Sequence, residues 1–132
     1  MRMFLIAGVL AVSIGAGAAA EESMKSVTMA TRIGEGSDQE VVKLFENGWT
    51  KLVQITLRNG KTLAAHAAKE AVTIQCVSSE GVLVLGEERI ALTPGVIVPV
   101  APEVTHAVEA KPAVSVLVTR FLPAAGGGEH RH

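Results

Sequence analysis

From residue 50 onward, apolar and polar side chains alternate with a period of two. Val53, Ile55 and Leu57 interleave with Gln54, Thr56 and Arg58, the pattern of a strand with one face buried and the other wet. Asn59-Gly60 predicts a tight turn behind it. Val72, Ile74 and Cys76 then share one face, with Thr73 and Gln75 on the other. Residues 81–85 and 88–92 read as a hairpin turning at Gly86, Thr93-Pro94-Gly95 as a further turn, and 96–100, 104–109 and 113–121 as three more Val-rich strands. Helical periodicity is missing apart from an ambiguous stretch at 39–46. Short strands at regular spacing, punctuated by Gly and Pro, predict an all-β domain, either a sandwich or a barrel.

The two ends depart from this pattern. Arg2, the apolar run that follows it and Ala18-x-Ala20 before Glu21-Glu22 have the order of a secretory signal peptide, with cleavage expected after Ala20 and a periplasmic or secreted location. Residues 3–20 carry no charge, so an uncleaved membrane anchor is the competing reading; the small-residue ending, with no basic flank, favours cleavage and a chain with no membrane association afterwards. At the other end, three consecutive glycines precede Glu129-His-Arg-His132, a flexible tail. The organisation expected is a signal peptide over 1–20, a lead-in strand and loop over 21–39, a barrel over 40–122 and a tail over 123–132.

Composition narrows the function classes. Without the first 20 residues the chain keeps 11 basic and 13 acidic side chains, with no basic run, so nucleic acid is an unsuitable partner. Its single cysteine, Cys76, precludes an intramolecular disulfide and reads as an inert core thiol. Ser78, Ser79 and Ser115 stand in no Gly-x-Ser-x-Gly setting, so a serine nucleophile has no support.

Between Gly60 and Ala110 the spacing of glycines and histidines resembles that of the cupin superfamily, small jelly-roll barrels marked by two motifs. The first runs Gly, five residues, His-x-His, three or four residues, Glu, six residues, Gly. Here Gly60 and His66 hold their places, while Ala68, Val72 and Ser79 occupy the second His, Glu and final Gly slots. The second runs Gly, five residues, Pro-x-Gly, two residues, His, three residues, Asn. Gly95 and His106 keep the separation, and Ala101, Glu103 and Ala110 replace the Pro, Gly and Asn. The resemblance implies a cupin-type jelly-roll β-barrel, a homodimer formed through strand edges or an exposed sheet face, and a site inside the barrel where the wider family binds one divalent metal with three His and a Glu.

Two of those four positions remain, so His66 and His106 are the candidate ligands. Two imidazoles make a poor metal site, since zinc and iron ask for three or more protein ligands. Glu70, with the parity of His66, is the candidate third ligand for a divalent metal cofactor; Glu103, on a loop at the barrel mouth, is a second. Ala68 and Val72 make the interior drier, which suits a small-molecule site carrying a few convergent polar groups. His66, His106 and Gln75 are the candidates for those groups. The reading is therefore an exported barrel that binds a small molecule; the alternatives are a metal-dependent enzyme of dioxygenase or isomerase type, and a structural or dimerisation module.

Overall fold

The computed structural model describes residues 25–123, all of whose regular elements are strands. They are β1 (Gln39–Glu46), β2 (Thr50–Leu57), β3 (Thr62–His66), β4 (Ala71–Leu85), β5 (Glu88–Leu92), β6 (Ile97–Val100) and β7 (His106–Phe121). The proposed leader and nearly all of the tail, including its two histidines, lie outside the described residues. The ambiguous 39–46 stretch is a strand, β1, paired antiparallel along β2. Cross-strand pairing settles what residue-by-residue periodicity leaves open there.

Two long strands organise the molecule. The second half of β7 lies between β2 and the first half of β4, while its first half lies between β3 and the second half of β4. β4 in turn carries β6 on its first half and β5 on its second. β4 and β7 therefore run through two half-sheets, β1-β2-β7-β4-β6 and β3-β7-β4-β5, folded against one another. The two strands expected at 104–109 and 113–121 are one continuous strand, bent around residues 111–113.

The bend has a local cause. Against one another, β4 carries one extra residue between Cys76 and Ser78, and β7 carries extra residues between Ala110 and Val114, opposite Ser79 and Gly81; Ser79 has a positive φ of 62°. Extra residues in one strand of a pair bend and twist it. Gly81 sits where the bent strands approach most closely: a Cβ there would lie 2.5 Å from the Glu109 carbonyl oxygen and 3.1 Å from Val114 Cγ1. Only glycine fits without moving backbone.

The core lies between the half-sheets. Leu57, Ile74, Leu83, Leu92, Val108 and Val114 are almost wholly buried there, each contributing about 1.5 to 3 kcal/mol of burial. Cys76 is wholly buried among them, and desolvation pushes its thiol pKa up, which suits an unreactive core residue.

On the outside of β2 the alternate residues meet a different covering. The lead-in, expected as strand and loop, is over its described residues 25–38 a strap with no ladder of its own. Side chains hold it instead. The Gln54 carboxamide accepts from Ala30 N at 2.9 Å and donates to Ala30 O at 2.7 Å and to Ser115 Oγ at 2.8 Å. Arg58 donates to the carbonyls of Ile33, Gly34 and Ser37 and to Glu40 Oε1. Gln54, and Arg58 just beyond the end of β2, are buried because the strap supplies the partners that water would otherwise provide.

Candidate functional site

Inward-facing side chains do not fill the space between the half-sheets. A cavity of about 450 Å³ remains, walled by Val53, Ile55, Val72, Ile74, Val108 and Val116. Its polar groups are a histidine pair, on β3 and β7, and four charged residues, Lys51 on β2, Lys69 and Glu70 on the loop before β4, and Arg120 on β7.

His66 and His106 are direct cross-strand partners on β3 and β7, their ring centroids 4.5 Å apart and their planes tilted by 56°. Simple alternation would not have placed them so. Leu63 lies opposite Val108 and lines the cavity, so an unbroken strand would turn His66, three residues on, to the opposite face. One extra residue in β3 between Leu63 and His66 restores the imidazole to the cavity side. His106 is buried at 5% exposure, whereas His66 is open at the rim.

Each ring is held by its own backbone. His106 Nδ1 lies 2.9 Å from Val104 O, and His66 Nδ1 lies 3.3 Å from Ala64 O. A carbonyl can only accept, so these bonds place a proton on Nδ1. In the neutral ring Nε2 is then the acceptor, and neither Nε2 has a protein hydrogen-bond partner among the described residues. The pair can therefore accept from a ligand hydroxyl or amine, or offer lone pairs to a metal.

The metal case needs a third ligand. Glu70 does line the cavity, but Arg120 Nη2 and Nε both bond its Oε1, at 2.6 and 3.2 Å. That hydrogen bond, more than the accompanying charge, holds the Glu70 carboxyl below its usual pKa. Glu103 is exposed on the loop after β6, with a φ of 68° and its amide bonded to Ala68 O at 2.7 Å; it does not line the cavity. Among the described residues no group of three His, Cys, Asp or Glu is placed to hold an ion. The residues present therefore do not fit the family's metal centre.

Gln75 lies elsewhere. It pairs with Leu117 and Ile97, alternates with the inward Ile74 and Cys76, and does not line the cavity. Of the five candidates, the structure brings His66 and His106 together, sets Glu70 on the same cavity but bonded to Arg120, and leaves Glu103 and Gln75 outside its lining.

Three charged lining residues were not among the candidates, Lys51, Lys69 and Arg120, and Lys51 and Arg120 face each other across β2 and β7. The signal was available: Lys51 shares the parity of Val53 and Ile55, and Arg120 that of Val116 and Val118. A cation on the inward face at the end of a strand marks the rim of a cavity.

Neither a protein-family model nor a curated relative matches the sequence. Solved structures do. A cupin-superfamily protein from Desulfitobacterium hafniense aligns with a TM-score of 0.63 at 13% identity, over 67% of this chain and 82% of its own. An RmlC-like cupin from Methanocaldococcus jannaschii, described as a double-stranded β-helix, aligns with a TM-score of 0.63 at 18% identity, over 74% of this chain and 90% of its own. The chain has the cupin fold. A third cupin structure, from Desulfovibrio desulfuricans, shares 24% identity at a TM-score of 0.59, over 63% of this chain and 81% of its own. At such identities the likeness carries the cupin fold alone, and what this barrel binds has to be argued from its own residues.

Proposed function

We propose that this cupin barrel is a binding module for a small, largely apolar molecule, which it holds in the cavity with a polar group against His66 and His106. The observation that carries this reading is the histidine pair itself. Two imidazoles 4.5 Å apart, each tied to the backbone through Nδ1, stand at the wall of a mainly aliphatic cavity. Apolar walls with a few convergent polar groups suit a ligand of modest size, and 450 Å³ is within the usual range for such sites.

The competing reading, a metal-dependent enzyme, asks for a carboxylate that Arg120 already engages. A two-imidazole site binds zinc weakly, so zinc affinity in the submicromolar range would favour the enzyme and micromolar or weaker affinity the binding module.

The direct test is a titration of the protein, carrying isotope-labelled histidine, with naphthylmethanol, an apolar body bearing one hydroxyl. Saturable shifts of both imidazoles are expected, and the His66→Ala/His106→Ala double variant should bind about fivefold or more weakly, the worth of one lost hydrogen bond. Unmoved histidine signals up to the solubility limit of the alcohol would overturn the reading.

A further inference from the structure

The rim of the cavity carries a charge imbalance that its walls do not need. Lys51, Lys69 and Arg120 line it against one carboxylate, Glu70, although the whole chain has a formal net charge of −1. Lys51 and Arg120 are directly opposite in register, an arrangement of like charges that costs stability in a bare sheet. Their neighbours relieve it only in part. Glu46 lies opposite Lys51 on the other side, but its carboxylate is bonded to Lys43 at 3.0 Å. Glu70 receives both of its Arg120 bonds on the single oxygen Oε1, which leaves Arg120 Nη1 open for another acceptor.

The position of these cations matters as much as their number. Lys51, Val53 and Ile55 follow one another inward along β2, as Arg120, Val118 and Val116 do along β7, so positive charge at the rim passes directly into aliphatic wall. An amphipathic anion fits that gradient, with its charged end at the rim and its body inside. A planar carboxylate can take an N–H from the guanidinium and an N–H from the ammonium together.

We propose that the ligand is a small organic monocarboxylate, its carboxylate held between Lys51 and Arg120 and its mainly apolar body in the cavity, where a hydroxyl or amine that it carries meets His66 and His106. This rests on the small-molecule reading above and adds the ligand's charge to it. Glu70 then acts as a counter-charge that an incoming carboxylate competes with for Arg120.

The test compares naphthoate with naphthylmethanol by calorimetry on the same protein. Naphthoate should bind about tenfold more tightly at low salt, an advantage that shrinks as salt is added. Lys51→Gln should lower naphthoate affinity about tenfold and leave the alcohol unchanged, and Glu70→Gln should raise naphthoate affinity by freeing Arg120. The two variants predict opposite signs, so a folding defect in one cannot mimic the result. Equal binding of acid and alcohol, insensitive to both substitutions, would overturn the carboxylate assignment and leave the binding module standing. Failure of both compounds to bind would remove both, and binding of the acid alone would support the carboxylate assignment while overturning the histidine contact proposed above.

Discussion

Replacing Arg58 with Met should release the N-terminal strap while leaving the barrel intact. The side chain is only 11% exposed and donates four hydrogen bonds, three to strap carbonyls and one to Glu40. The Glu40 side chain is 45% exposed, so its ion pair adds little. The three carbonyl bonds come from a charged donor and would each be worth about 1.5 kcal/mol or more, but the freed carbonyls reach water once the strap lifts, so a net loss of about 3 kcal/mol is the better figure. Met keeps the aliphatic stem against β2, so the core is spared. A loss of that size makes the lifted strap somewhat over a hundredfold more populated, by about one decade per 1.4 kcal/mol. Trypsin cleavage after Arg32, an exposed strap residue, reads that population when closing is faster than cutting. Cleavage should accelerate by about the same factor, and Arg58→Lys should restore only part of the protection, because an ammonium cannot reproduce the guanidinium fork. A cleavage rate for Arg58→Met within about threefold of wild type would show that Arg58 does not pin the strap.

Gly81→Ala should destabilise the fold by about 2 to 3 kcal/mol in a denaturant melt, because its Cβ meets a backbone oxygen that cannot yield cheaply; an unchanged midpoint would place slack at the bend. Cys76 should resist a thiol reagent until the protein unfolds, since burial both blocks it and raises its pKa; rapid labelling under native conditions would contradict this. The folded-state pKa of Glu70 lies below its usual value of 4.5, chiefly through the Arg120 hydrogen bond. The unfolded chain therefore takes up this proton first, and the group's contribution is present above pH 4.5 and lost as pH falls through the folded value. Glu70→Gln should flatten that acid limb of stability, and an acid limb identical to wild type would refute the assignment.

Much of the barrel was legible because it obeys a period of two. Val53, Ile55 and Leu57, and Val72, Ile74 and Cys76, turn the same way in the structure as alternation says they should. The turns at Asn59-Gly60 and Gly86 were equally readable, since all three residues take positive φ. What escaped depends on contacts distant in sequence. β1 is a strand because β2 pairs with it, and the bend that joins two expected strands into β7 goes with register shifts against β4, some thirty residues earlier, with extra residues in both strands. The site shows the same division. The spacing of His66 and His106 named the pair, but the bulge that turns His66 inward has no marker among Ala64 and Ala65. Glu70 had suitable parity for a ligand, and only the fold could reveal that Arg120, fifty residues later, would engage it.

The position of β7 has a consequence for how the chain is assembled. It is the partner of β2, β3 and β4, and among the described residues it is the last strand in chain order. A nascent chain that has emerged only as far as β6 can form the β1-β2, β4-β5 and β4-β6 pairings, but each of the strands that will meet β7 still offers an unsatisfied edge. Completion waits on residues 106–121, and it arrives through contacts distant in sequence, which are slow to form. Truncation within β7 should therefore yield an aggregating chain in place of a smaller barrel, and any factor that holds the chain open before folding has its greatest effect in the interval before Phe121 is available.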